Sequence, residues 1–246
     1  MPNIGGPGEN RRKLLATVME SVILYASPVW SEALKVKKFN YMVNKAQRKI
    51  ALRVIRGYRT MRLDTARVLG RIIPLDLLTK EREQILLGKN PKIERKKTLE
   101  EWQKRWETLD NNLWIKLLIP DVSIWYNRRI GQIGYHLSQF FSNHGCFNSF
   151  LYRIKKKENS SCSYCGAEND TARHTFFDCE NWKHQREMAE QEIKEIFYPE
   201  SIVEIMIKTE KNWVTIEKWI KNVIQEKEKD ERKRQPRSTF HIPSYS

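Results

Sequence analysis

The sequence has no run of about 18 apolar residues; its longest apolar stretch, around Val22 to Ala26, lies inside a pattern that carries charges. A membrane-spanning helix is therefore not expected. Nor does the N-terminal MPNIGGPGENRRK set out the charged, apolar and small-residue regions of a secretory signal in order, so an intracellular rather than secreted protein is expected. Cysteine is scarce. The four present, two of them as Cys-x-x-Cys, suit a reducing compartment and a metal better than a disulfide framework. There is no Asp-Asp pair, and residues 1–72 hold only Glu9, Glu20, Glu32 and Asp64, too few carboxylates for a two-metal nucleotidyl transferase. A Gly-rich phosphate loop, a G-x-S-x-G elbow and an H-E-x-x-H are missing as well. No residue is assigned a catalytic role. Sustained apolar/polar alternation is also lacking, so little sheet is expected, and no internal repeat is visible.

What is present is charge and enough apolar surface to fold. With 40% apolar and 11% aromatic residues the 246-residue chain can close a core, and its formal charge of +15 favours a polyanionic partner. The surplus is not spread evenly. Residues 1–72 carry 15 basic and 4 acidic side chains, residues 73–180 carry 17 and 14, and residues 181–246 carry 13 and 12. The basic surface is thus expected at the N-terminal end, and the nearly balanced run KEKDERKRQPR reads as a solvated helix end fraying into a tail.

Periodicity predicts a mostly α protein. A first helix runs from a cap at Glu9 or Asn10 through Leu14, Leu15, Val18, Val22 and Tyr25, and Pro28 ends it. A second is expected from Ser31 to about Gly57, packing through Phe39, Val43, Ala46, Ile50 and Val54, with Gly57 as its C-cap. Beside that apolar stripe, Lys38, Lys45, Lys49, Arg53 and Arg56 fall within about 80° of the helix circumference. Such a row is either a solvated face or a grip for a polyanion. The shortage of interleaved Glu favours the grip. Further helices are expected around Asp64 to Leu69, on either side of Asn90-Pro91, and near Leu113 to Ile119, Val122 to Arg129 and Tyr135 to Phe141. Trp102 and Trp106, one turn apart, read as core anchors packing on the N-terminal helices.

The most specific motif is SSCSYCGAENDTARHTFFDCENW. Its Cys162, Cys165, His174 and Cys179 are spaced C-x2-C-x8-H-x4-C, and three thiolates with one imidazole fit the tetrahedral preference of structural zinc. Gly166 can supply the positive φ of a tight knuckle. Four protein ligands leave no position for a reacting water. Cys146 is left over as a small core residue, and His184 is the readier substitute ligand of the two. Between Glu158 and Trp182 only Arg173 is basic, against Glu158, Glu168, Asp170, Asp178 and Glu180, a surface that repels phosphate. Any grip here falls to Arg153, Lys155, Lys156 and Lys157, with Tyr164 or Phe176 able to stack on a base; alternatively Phe176 and Phe177 form a miniature core that the zinc staples.

Taken together, MPNIGGP, RRKLLATVMESVILYASPVWSEAL, QRKIALRVIRGYRT, IIPLDLL, EWQKRW, YHLSQFFSNHGCFNSFLYRI and HTFFDC resemble the C-terminal part of the pol protein of insect-type non-LTR (LINE-like) retrotransposons. The nearest clade inserts site-specifically into ribosomal RNA genes or telomeric repeats. The resemblance implies a helical thumb over residues 1–72, a Trp-rich helical linker over 73–157, a zinc knuckle over 158–182, helices over 183–229 and a disordered tail over 230–246. It makes Met1 similar to an internal methionine just after a polymerase palm, and implies nuclear action on an RNA template and a DNA target or primer duplex, alongside the rest of the parent protein. By the same similarity Lys38, Lys45, Lys49, Arg53 and Arg56 hold the duplex backbone, and Cys162, Cys165, His174 and Cys179 hold zinc. Magnesium belongs only to the parent polymerase, whose Asp-Asp motif has no counterpart here. The alternative from another class is a stand-alone zinc-stapled helical binding or adaptor protein.

Overall fold

Asn90 and Asp121 cap helix starts with their side chains, and left-handed residues at Arg71, Asn143 and Lys194 end other helices. The computed structural model describes residues 6–25, 27–110 and 113–234, and all regular structure among them is helical. The first helix, α1 (Glu9–Leu24), stops before Pro28, as the sequence predicts. The short α2 (Ser27–Trp30) and a 3-10 turn over Ser31–Lys35 then lead into α3 (Lys37–Val54). The single helix expected from Ser31 is thus two elements. Val36 is extended at φ −80° and ψ 119°, and the Asn40 side chain turns back to donate to the Leu34 carbonyl at 3.2 Å, which satisfies a group that a continuous helix would have used. At the far end the left-handed position falls on Arg56, not on the expected Gly57: Arg56 has φ 56°, and the Gly57 N–H closes on the Leu52 carbonyl at 2.9 Å.

The N-terminal helices bury only part of their apolar positions: in α3 Val54 is buried and Ile50 packs against the core, as periodicity indicates, but Phe39 and Ala46 do not. In α1 the buried positions are Glu9, Arg12 and Ala16, while Leu14, Leu15, Val18, Val22 and Tyr25 are all more than half exposed. In α3 the buried side chains are Gln47, Ala51, Leu52 and Val54, and Phe39 and Ala46 face solvent. Buried hydrogen bonds explain the difference. Gln47 donates to the Ile73 carbonyl at 2.7 Å and accepts from Arg67 Nε at 2.7 Å, and Arg12 Nη1 donates to the Arg53 carbonyl at 2.9 Å. Polar groups that find such partners stay inside, and the neighbouring apolar stripe is left outside. Glu9 accepts from the Ile133 N–H and lies 3.7 Å from Arg71 Nη2 and 3.9 Å from Arg128 Nη2, joining the start of α1 to the middle of the chain.

Next come α4 (Leu63–Gly70), buried at most positions, α5 (Leu75–Leu86) and α6 (Pro91–Glu107). The join at Asn90-Pro91 is as predicted: Asn90 accepts from the Lys92 N–H at 2.9 Å and Pro91 takes the first helical position. Short helices follow as α7 (Trp114–Leu118), α8 (Val122–Asn127), α9 (Tyr135–Ser142) and α10 (Asn148–Arg153). Trp102 and Trp106 are core anchors, but their partners lie in this middle segment and not in the N-terminal helices. Trp102 meets the edge of Tyr126, and the Trp106 indole donates to the Ile119 carbonyl at 2.8 Å. Trp125 does tie back to the N-terminal part, its indole donating to the Val68 carbonyl at 2.9 Å.

After the Cys/His loop come α11 (Lys183–Ile193), α12 (Ile202–Lys208) and α13 (Glu210–Arg234). The last helix buries Trp213, Ile216, Ile220, Val223 and Lys227 along one face and packs on α9, α11 and α12. It continues past residue 230, the expected start of the tail, with Asp230 paired to Lys233 at 3.1 Å and Glu228 to Arg232 at 3.7 Å holding its final turns. The rest of the expected tail, 235–246, lies outside the described residues. One core joins everything from Ala16 to Ile224, and Cys162, Ala172, Phe176, Cys179 and Trp182 belong to it.

One glycine tests this packing. Gly131 has φ +78°, and a Cβ there would sit 2.0 Å from the Trp213 ring carbons. Gly131→Ala is expected to lose about 2 to 4 kcal/mol from overpacking and left-handed strain, read as a lower urea midpoint at unchanged slope. An unshifted midpoint would show that the contact between the middle segment and α13 is looser than drawn.

Candidate metal centre and basic surfaces

The Cys/His loop folds around its own backbone before any ion is considered. The Cys162 N–H donates to the Ala167 carbonyl at 2.7 Å, and the Gly166 N–H returns to the Cys162 carbonyl at 3.0 Å. This closes the knuckle with Gly166 at φ +78°; the space beside it is open, so conformation and not crowding calls for glycine there. The other two candidate ligands come from an unusual turn. His174 and Cys179 are five residues apart, which on an α-helix puts them about 140° apart. A π turn over His174–Asp178, closed by the Cys179 N–H to the His174 carbonyl at 2.8 Å, brings them round to one side.

The four ligand atoms of Cys162, Cys165, His174 and Cys179 all lie within 4.8 Å of one another. Cys162 Sγ and Cys179 Sγ are 4.0 Å apart, and Cys165 Sγ is 3.2 Å from His174 Nε2. Tetrahedral zinc with bonds of about 2.3 Å to sulfur separates its sulfurs by about 3.8 Å, so the first distance matches ligation, and all four cysteines are free of disulfides. Cys162 and Cys179 are buried while Cys165 is exposed, so the group has an inner and an outer side. The Cys179 thiol is pushed up to about 12 by burial and by its two cysteine neighbours, whereas the Ala167 backbone draws the Cys165 thiol down. A cation would displace the proton that burial otherwise holds on Cys179. His184, the spare histidine, sits exposed on α11 outside the group, and the Cys146 thiol is closed in against the Ile224 carbonyl at 3.7 Å.

Asp170 does not contribute to an acidic surface as its sequence position suggests. It is buried, accepts from Lys227 Nζ at 2.8 and 2.9 Å, from Thr175 Oγ1 at 2.8 Å and from the Asn148 N–H at 2.9 Å. Asp178 faces Arg173 at 4.0 Å and Glu180 faces Lys183 at 3.6 Å, which further offsets the expected negative balance. Phe176 is also no miniature core of its own; it meets Phe140 at 5.0 Å and Trp219 at 5.3 Å, edge to face, in the main core.

The candidate nucleic-acid contacts divide into free and committed groups. Lys38, Lys45, Lys49 and Arg53 are exposed on α3, and none has a carboxylate partner among the described residues; Lys45 lies 6.0 Å from the Tyr41 ring. Arg56 is committed, donating to the carbonyls of Gly6 at 3.1 Å and Pro7 at 2.9 Å. Arg153, Lys155 and Lys156 are exposed, but Lys157 pairs with Glu231 at 2.8 Å. Tyr164 is used internally as well. Its ring packs edge-on to Trp182 at 4.9 Å and carries Lys227 and Arg234 over it, and its hydroxyl donates to Asp230 at 3.1 Å. The sequence reading passed over Arg59 and Arg62, exposed on the turn after α3, although the basic GYRTMR run marks them.

Fold and site together define a mostly helical protein with a Cys3His group able to hold a metal ion. No protein-family model, curated protein or solved structure matches the chain. No helix among the described residues is long and apolar enough to cross a membrane.

Proposed function

We propose that the chain is a nucleic-acid-binding piece of a retrotransposon reverse transcriptase, comprising thumb, linker and zinc knuckle. In this reading α3 lies along the backbone of a template-primer duplex, the zinc is structural, and the work is done at target DNA in the nucleus. The observation that carries the proposal is the row Lys38, Lys45, Lys49 and Arg53, exposed on one helix and without a carboxylate partner among the described residues. Cations left without carboxylates are suited to phosphates, which give affinity without sequence preference. The uncovered apolar face of α1, Leu14, Leu15, Val18 and Val22, supports the same reading, since a patch of that kind is ordinarily covered by another surface; the remainder of the parent protein would cover it.

Duplex binding tests the proposal. Affinity for an RNA–DNA duplex should fall steeply between 50 and 200 mM salt, and the triple charge reversal Lys45→Glu, Lys49→Glu, Arg53→Glu should flatten the log–log slope by about 2 to 3, near 0.9 per lost phosphate contact. A slope the same as wild type would remove α3 from the interface.

A further inference from the structure

A second basic feature lies just beyond the C-terminal end of α3, and the fold, not the sequence order, creates it. The turn after α3, the start of α7, the end of α9 and the end of α10 enclose a cavity of about 320 Å³. The two charged residues in its lining are Arg62 and Arg153, which are 91 positions apart in the chain. Both are exposed, and neither has a carboxylate partner among the described residues; the Arg153 guanidinium lies 5.3 Å over the Phe150 ring, which leaves its N–H edge for a ligand. The clefts between α11 and α13, beside Tyr135 and beside α5 each include two or more carboxylates; this one has none. The rest of its lining is largely apolar and aromatic, with buried Phe141 and Ile115, His144 and half-buried Trp114, whose indole donates to the Phe140 carbonyl at 2.8 Å and whose ring meets Phe140 and Phe177 edge to face; Ser142 and Asn143 are already engaged, by the Ser138 carbonyl and the Ala172 N–H, and Thr60 is exposed at the mouth. The turn is held from beneath: Arg48 donates to the Met61 carbonyl at 2.6 Å and also to that of Arg59, so Arg62 is presented by a fixed backbone.

Two guanidiniums alone would suit any oxyanion, and an aromatic floor alone any flat apolar group. Their combination in one recess suits a group that is anionic at one end and a flat ring at the other. The volume lies at the small end of ligand sites, enough for one such unit and too little for paired bases. We infer that the cavity takes one unstacked nucleotide of a single-stranded nucleic acid, its phosphate between Arg62 and Arg153 and its base against Trp114. This inference rests on the nucleic-acid reading above but uses no residue of the α3 row.

The test uses the full chain and a 5′-phosphorylated, 3′-fluorescein trinucleotide followed by anisotropy, with the RNA–DNA duplex measured in parallel. The paired reversal Arg62→Glu, Arg153→Glu should weaken trinucleotide binding by about tenfold or more. Thr60→Trp, which fills the cavity from an exposed position and leaves the charge unchanged, should do the same, while duplex affinity stays within about twofold in that variant. Undiminished trinucleotide binding by Thr60→Trp overturns the inference, because diffuse charge and not the cavity would then be the cause. Displacement by inorganic phosphate at equal concentration also overturns it, in favour of a bare anion site. Failure of the wild-type chain to bind the trinucleotide while it still binds duplex overturns the cavity alone; failure to bind either sinks the nucleic-acid reading with it.

Discussion

Cys179→Ser is expected to abolish metal binding and to loosen far more of the chain than the knuckle. Wild-type protein should carry close to one zinc per chain by atomic emission, the variant none, and Cys146→Ser should keep its zinc. Cys179 is fully buried in the core shared with Phe176 and Trp182, and Phe176 bridges α9 and α13 through Phe140 and Trp219. A structural zinc supplies about 10 to 16 kcal/mol of apparent folding free energy in isolated peptides. Here the loss falls on a turn whose side chains are part of the main core, so the tryptophan fluorescence and helical circular dichroism should both melt at lower temperature, not the loop alone. Chelation of the wild-type chain should reproduce the shift. Retention of one zinc by Cys179→Ser would remove Cys179 from the ligand set, and loss of zinc with an unchanged melting curve would confine the metal's role to the loop.

The helical class, the Asn90-Pro91 join and the gathering of Cys162, Cys165, His174 and Cys179 into one group were legible because each rests on spacing within a short stretch. A cap or a C-x2-C turn depends on a few neighbours, and Asn90, Pro91 and Gly166 do in the structure what their chemistry dictates. Faces were less legible. Periodicity placed Phe39 and Ala46 inside along with Ile50 and Val54, and only the latter two pack, while Gln47, Arg12 and Glu9 are buried because each finds a partner from a distant part of the chain. Likewise Asp170 in the sequence is one more acid in an acidic loop, and nothing near it announces Lys227, 57 residues on. That Arg62 and Arg153 line one cavity is invisible for the same reason. Local chemistry fixes elements and turns, while pairing between remote polar groups decides which side of a helix is the inside and which charges remain outside.

The Asp170–Lys227 pair should therefore behave as the fastener between the knuckle and α13. Both side chains are 2% exposed, and Asp170 also orders Thr175 and the start of α10 through the Asn148 N–H. Removing one partner strands the other charge in the core, so Asp170→Ala and Lys227→Met should each destabilise the chain by about 3 to 5 kcal/mol in urea unfolding. The double variant removes both charges and should lose much less than the sum, giving a coupling of about 2 kcal/mol or more. Lys227 also lies 5.5 Å from the Phe147 ring and 5.3 Å from that of Tyr164, contacts that a methionine side chain can partly replace by packing. Because Asp170 follows Cys165 by five residues and its N–H donates to the Ser160 carbonyl at 2.8 Å, the single variants should also bind zinc more weakly, with the double variant partly restored. Strict additivity of the two substitutions would mean that the charges act separately, and that the knuckle is held to α13 by its other contacts, Phe176 on Trp219 and Tyr164 on Asp230 among them.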